Sequence, residues 1–431
     1  MAQRERFDVA VVGGGFAGIA AALSAAQLGA HTLLVERSDV LGGNASNAFV
    51  HSVCGLYLAA SEGDAKPANP GFPQRFATAL RAGGAAGEPE RAGKVWVLPT
   101  EPQRIPDVAA QLCFESKPLR VRLVTQLCAL TLGDGATPQR LTLATTAAQE
   151  SVEATIVIDT SGDAAAGAMA GAAVESVAPE RLQLPSYIFR LEGVAAAALE
   201  GFARLRVSHA VAGGVRDGGL PRGCESVLVR PGGTPGSAYV TLNLPRPQAE
   251  AYTPLDPAQT SQLESSARQH AECVTEFLRA RPEFANCRID AWPRRLGIRE
   301  ARRLIGRETL DREHVLAAGE HPDAVARSSW PIELWHDHRR ASFEYPKAAC
   351  DIALGALISA SHPRLGVAGR CLSASHEALG ALRVLGTALA TGEAIGIAAA
   401  LAADAQTGLP AIAASDVRTH IQEHAAMGVS A

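Results

Sequence analysis

Three glycines spaced as Gly13-x-Gly15-x-x-Gly18 follow the apolar run Phe7 to Val12 and open a run of small and apolar residues, Ala17 to Leu28. Gly29 stops that run, and a second apolar stretch, HTLLVE, ends on Glu36. Glycines at these positions allow a tight turn, close approach of backbone to a pyrophosphate, and tight packing of helix on strand, while N–H groups at the helix start face the phosphates. An acid at the end of the second strand is placed for ribose hydroxyls. Strand, glycines, helix, stop, strand and acid fall in the order that dinucleotide binding requires, which separates this pattern from an isolated glycine turn.

The next stretch, LGGNASNAFVHSVCGLY, adds the glycine pair Gly42 and Gly43 and gathers His51, Cys54 and Tyr57. Along a strand His51 and Tyr57 share one face and Cys54 the other, so all three meet one pocket only if the chain breaks, as Gly55 permits. Three roles are open for them: covalent attachment of a cofactor through His51 or Cys54, acid–base or thiol chemistry, and packing as the wall of a reaction chamber. Further acid–base candidates are His376, in SASHEALG, and Tyr345, in WPIELWHDHRRASFEYP. His336-x-His338 in the same stretch has ligand spacing, but no Cys, Asp or Glu set completes it, and no metal is expected. Arg295, Arg299 and Arg302 stand at i, i+4 and i+7, one face if the segment is helical. Such a stripe either binds a carboxylate or phosphate or is a solvated face paired with Glu300, Glu308 and Asp311.

The elements that must position these residues read as α/β. Phe7 to Val12 is a strand covered on both faces, and with the glycine turn, the first helix and HTLLVE it makes a βαβ unit. A short helix is expected near Pro73 to Arg81. A three- or four-stranded meander between Pro118 and Thr160 returns to the main sheet at Ala154 to Thr160. From about 185 the texture changes to more Pro, Arg and aromatic residues, with strands such as SYIFRLEG and SAYVTLNL and a long helix over Thr260 to Arg281. Leu365 to Gly369 is one more sheet strand feeding a helix over Glu377 to Ala403, and Asp416 to Met427 is a terminal helix. The expected division is 1–184 for the first part of the nucleotide domain, 185–350 for an inserted α+β substrate domain, 351–405 for the rest of the first domain, and 406–431 for a tail.

The 431 residues are 47% hydrophobic and 19% charged, the balance of an ordinary soluble globular chain. A net charge of −4 gives no general affinity for nucleic acid or acidic membranes. Eight cysteines without a C-x-x-C pair read as reduced thiols, and the start shows no apolar leader, so a cytoplasmic location is expected. The most apolar late segment is interrupted by Arg383 and Glu393 and reads as a buried helix rather than a membrane span.

TIVIDTSGDAA, with Gly162 and Asp163 closing a strand, and GVAGR near the C-terminus resemble FAD-binding segments of flavoproteins with the glutathione-reductase type of Rossmann domain. RLGIREARRLIGRETLD and LGVAGRCLSASHEALGALRVLGTALATGEAIGIAAALA resemble the paired signatures of the broad FAD-dependent oxidoreductase family allied to the fumarate-reductase and glucose-inhibited-division flavoproteins. The resemblance implies a Rossmann-type FAD-binding domain in which Gly13, Gly15, Gly18, Glu36, Arg37, Gly42, Gly43, Asn44, Asp163 and Gly369 line FAD. It further implies that the helix after Arg383 points its first turn, Leu385, Gly386 and Thr387, at the pyrimidine edge of the flavin, where a helix dipole favours negative charge.

No second G-x-G-x-x-G occurs in the inserted region, no C-x-x-x-x-C pair follows the first helix, and the W-x-W-x-I-P pattern of flavin halogenases is absent. The expected activity is therefore that of a dehydrogenase or oxidase taking hydride from a small organic substrate to flavin N5, with the base among His51, His376 and Tyr345 and the arginine stripe holding substrate. The alternatives are an NAD(P)H-dependent flavin monooxygenase and a flavoprotein that modifies or assembles a macromolecular partner.

Overall fold

The computed structural model describes residues 4–133, 137–247 and 251–427. The strand Arg6–Val12, buried over its last four residues, lies inside a parallel sheet between Thr32–Val35 and Gln149–Asp159. Leu119–Arg122 extends the sheet beyond Thr32–Val35, and Leu365–Val367 pairs in parallel with the end of Gln149–Asp159. The earlier half of Gln149–Asp159 instead joins the antiparallel strands Gln139–Ala144 and Gln126–Thr131. The meander thus has three strands. Leu119–Arg122 goes to the opposite edge of the sheet, because the helix Ile105–Glu115 precedes it and lets the chain enter there in parallel.

Two helices cover one face of this sheet, Phe16–Gln27 and Leu385–Asp404, and they meet backbone to backbone. A Cβ on Gly392 would lie 2.2 Å from the Ala17 carbonyl oxygen, and one on Gly396 2.3 Å from that of Ala21. Leu385–Asp404 is long and apolar enough to cross a membrane, yet nearly all of it is buried inside the molecule. The helix expected over Glu377 to Ala403 is two helices, His376–Leu382, capped by the Ser375 hydroxyl, and Leu385–Asp404. Val384 between them is extended, so a fresh helix N-terminus opens in the interior.

The second unit is an antiparallel sheet in the order Val227–Pro231, Ala238–Asn243, Ser186–Glu192, Arg288–Ala291. Tyr187, Phe189, Leu191, Val227, Val229, Val240 and Leu242 form a separate core with the helices Ala203–Arg216 and Pro257–Arg279. The other face carries Ile188 and Tyr239, which meet Phe49 of the first unit. This core ends near residue 298. Leu310, Val315, Val325, Ile332, Leu334 and Ile352 belong to the first core, so the inserted unit is shorter than the expected 185–350. The aromatic, proline-bearing texture of 330–346 comes from a hairpin, Ile332–Asp337 with Arg340–Glu344, that folds against the first unit.

Candidate active site

A cleft runs along the carboxyl ends of the parallel strands, the place where open α/β sheets bind ligands. Of the glycines expected there, Gly13, Gly15, Gly42, Gly43 and Gly369 line it. Gly43, at φ +58°, opposes Gly15 so closely that a Cβ on it would lie 2.8 Å from the Gly15 Cα. Gly18 stands behind the cleft, where a Cβ would lie 1.8 Å from the Gly13 carbonyl oxygen; its part is helix packing. Gly15 caps the first helix without any side-chain bond, which leaves the N–H groups of that turn for a ligand.

Glu36 and Arg37 line the same end of the cleft. The Glu36 carboxylate is buried and held by the backbone N–H groups of Gly14 at 2.6 Å and Ser38 at 2.8 Å. Asn44 lines the wall and donates to the Ile298 carbonyl at 3.0 Å. Asp163 accepts from Arg370 at 2.9 Å, and its own carbonyl accepts from Arg302 at 3.1 Å. Leu385 lines the cleft at the start of the long helix, whereas Gly386 and Thr387 pack against the chain at Gly55 and Leu56.

Two observations test whether FAD fits. Arg295 faces the cleft with its Nε unpartnered, and burial, followed by the charge of Arg37, lowers its pKa. Two guanidiniums near one carboxylate call for an anion, as a pyrophosphate supplies. At the far end, Leu385 brings the start of a twenty-residue helix to the cleft wall, and its capping residue Val384 makes no side-chain bond to the free N–H groups there. Backbone cradle, cation excess and helix start all match the group.

The arginine stripe does not form. Residues 295–302 are irregular rather than helical, with Gly297 bridged to Ser186. Arg295 enters the cleft and Arg302 braces Asp163. Arg299 turns the other way, bonding Asn243 Oδ1 at 2.6 Å and lying 4.5 Å over the Trp335 ring. Burial and the nearby Arg383 pull the Arg299 pKa down to about 9.

The chain from His51 to Tyr57 is broken at Gly55, φ +73°, after a short strand Ser52–Cys54. His51 bonds the Phe49 carbonyl through Nδ1 at 3.1 Å, and burial lowers its pKa to about 4. Burial, with the charge of Glu333, pushes the Cys54 thiol up to about 12. The charge of Arg230, on the second unit's sheet, reaches both. Tyr57 is packed in the main core.

Tyr345 is 46% exposed, stacked on Phe343 beneath Lys94, and stands away from the cleft. Its place on a surface hairpin removes it as an acid–base candidate. His376 is buried, its Nδ1 2.8 Å from Glu300 and its Nε2 3.5 Å from His336; it does not line the cleft. Arg303 completes this cluster at 2.7 Å from Glu300. His336 and His338 diverge, the latter towards Glu225, and among the described residues no three ligating groups converge as a metal site.

Sequence reasoning missed Glu333, Arg383 and Gln183. Arg383 lines the cleft next to Leu385 and reaches towards Gln183 Oε1 and the Glu333 carbonyl, both at 3.4 Å. The Glu333 carboxylate accepts from the indoles of Trp330 at 3.0 Å and Trp335 at 2.6 Å. Burial alone would raise its pKa, but Arg383 and the two indoles win and lower it. The one available signal was the W-x-x-E-x-W spacing, which places both indole donors near one acid.

Residues 8–421 match the family model described as FAD dependent oxidoreductase. Among solved structures the chain is similar to a geranylgeranyl bacteriochlorophyll reductase-like protein from Thermoplasma acidophilum, at 13% identity over 98% of this chain and 83% of that one, with a TM-score of 0.48. It is also similar to p-nitrophenol 4-monooxygenase from Pseudomonas putida, at 12% identity over 99% and 89%, with a TM-score of 0.49. A third is a flavin-dependent brominase, at 10% identity over 98% and 84%, with a TM-score of 0.48. No curated protein matches the chain in sequence.

Proposed function

The chain belongs to the FAD dependent oxidoreductase family, and from that premise we propose that it oxidises a small organic substrate in the chamber between the start of the helix Leu385–Asp404 and the inserted sheet. FAD, when bound, supplies a two-electron acceptor for hydride. The residues to hold it are Gly13, Gly15, Glu36, Arg37, Gly42, Gly43, Asn44, Asp163, Gly369 and Leu385, with Arg295 at the anionic end. The observation that carries the reading is that a nucleotide cleft ends at an interior helix N-terminus lined by Arg383 and Leu385, with the charges of Glu333 and Arg383 reaching Cys54.

His51 is the proton acceptor in this reading. Its Nδ1 faces the Phe49 carbonyl, which assigns the proton to that nitrogen and leaves the Nε2 lone pair free. With its pKa near 4 the ring stays neutral across the physiological range. Cys54 remains a thiol and serves as wall. The inserted unit is an antiparallel sheet with two flanking helices rather than a second parallel nucleotide fold, which speaks against a resident NAD(P)H domain of the disulfide-reductase kind.

Purification followed by a visible spectrum and acid precipitation tests the reading. Yellow FAD should be released, and anaerobic mixing with small organic substrates should bleach the flavin where NADPH and NADH alone do not. Rapid bleaching by NADPH would move the protein to the monooxygenases, and a colourless preparation would remove the reading altogether.

A further inference from the structure

We infer that the substrate is an apolar monocarboxylic acid whose carboxylate is received by Arg383 and Gln183; this rests on the oxidoreductase reading and deepens it. Among the described residues, no carboxylate lies within 4 Å of Arg383, although it is largely buried. Its bonds to protein are the two long ones at 3.4 Å, and its Nε has no partner. Gln183 is 1% exposed, and its Nε2 is also without an acceptor. Both orphans are donors, so the missing group accepts hydrogen bonds.

The charges give its valence. The charge of Arg383 reaches Arg299, and that of Glu333 reaches both, its oxygens already taken by two indoles. Glu300 also reaches Arg383 by charge, but Arg303 bonds it at 2.7 Å. Two cations against one anion leave a single positive charge, which a monoanion neutralises and a dianion overshoots. Next to Arg383, Val384 packs with Trp330, Val95 and Val97 in an apolar cluster that Cys54 joins, so the surroundings favour an apolar body over a second charge. Arg383 lines the nucleotide cleft as well, so a carboxylate bound there stands next to the flavin end.

Titration of the FAD-loaded protein with benzoate, benzamide and succinate at pH 7, read from perturbation of the flavin absorption band, tests the inference without turnover. Benzoate should saturate the change, while the neutral amide and the dianion bind at least tenfold more weakly. Arg383→Met and Gln183→Leu should each weaken benzoate at least tenfold at unchanged flavin content. Equal binding of benzoate and benzamide, or unchanged benzoate affinity in folded, flavin-loaded Arg383→Met, overturns the inference and leaves the cofactor reading standing. If Arg383 serves the flavin instead, Arg383→Met loses flavin and wild-type protein ignores the charge of the probe. A failure of the oxidoreductase reading shows earlier, as protein without flavin.

Discussion

The imidazole of His51 lies flat on the phenol ring of Tyr239, centroids 4.9 Å apart and planes 10° apart, and so joins the nucleotide unit to the inserted sheet. The contact keeps the ring from water, which is why its pKa falls to about 4 from an ordinary 6.5. Between these values the unfolded chain takes up a proton that the folded chain refuses, so stability falls as pH drops from 6.5 towards 4 and changes no further below that. His51→Gln should remove this part of the slope, on the order of 1–3 kcal/mol between pH 7 and pH 4. Urea midpoints at the two pH values measure it. The same variant should lower kcat by ~100-fold; an unaltered kcat would dismiss His51 as base.

Gly43→Ala should cost flavin rather than fold. The left-handed φ and the 2.8 Å approach to Gly15 mean that an added methyl pushes the two cradle strands of backbone apart. The ratio of flavin to protein absorbance should fall severalfold while the far-ultraviolet dichroism is kept. Gly63→Ala makes the control: it also has positive φ, but nothing lies within 4 Å of the added carbon, so full flavin content is expected.

That contrast explains what was legible in the sequence. Gly13, Gly18 and Gly43 each have a backbone neighbour under 3 Å that forbids a side chain, while a Cβ on Gly15 would stand in ordinary contact, 3.7 Å from the Gly43 Cα. The arginine spacing misled because i, i+4, i+7 puts three side chains on one face only in a helix, and the bridging of Gly297 to Ser186, a long-range event, keeps this segment out of one. The pairing of Glu333 with Arg383 depends on a hairpin folding back on a helix break, so no local pattern carries it. His376 was expected as an acid–base group, yet it bonds Glu300 and His336 and does not line the cleft. The domain edge near 298 is set by which core accepts Leu310 to Ile352, a matter of tertiary packing.

Cys54 should be inert as a nucleophile. A thiol at pKa about 12 carries about one part in ten thousand of thiolate at pH 8. Native protein treated with iodoacetamide should therefore alkylate the exposed Cys128 and Cys273 and spare Cys54, as peptide mass spectrometry would read. Cys54→Ser should keep turnover within about twofold. Prompt labelling of Cys54 in the native state would restore thiol chemistry as a role.

Glu300 is wholly buried between Arg303 and His376, with the Gln183 backbone N–H on its other oxygen. Glu300→Ala leaves the Arg303 guanidinium, 2% exposed, facing only the half-exposed Glu175, and should destabilise the fold by about 3–5 kcal/mol. Adding Arg303→Met should recover part of that loss, since an apolar replacement of the whole pair removes the stranded charge. Urea unfolding of both single variants and the double variant closes the cycle. Additive losses would mean that the two side chains act independently.

Gly396 ties stability to the flavin end of the cleft. It sits 11 residues beyond Leu385, about 16 Å along the helix at 1.5 Å per residue, and the atom its missing Cβ would strike, at 2.3 Å, is the backbone oxygen of Ala21. Because the obstacle is backbone, trimming the neighbour with Ala21→Gly gives no relief, and the two helices must part. Gly396→Ala should lose about 1–3 kcal/mol in urea unfolding. It should also release flavin faster on dilution, because the same rigid helix carries Leu385 into the cleft. Rescue by Ala21→Gly would show that side-chain crowding, rather than the approach of the two backbones, sets the spacing. Loss of stability with unchanged flavin release would separate the helix pair from the positioning of its N-terminus.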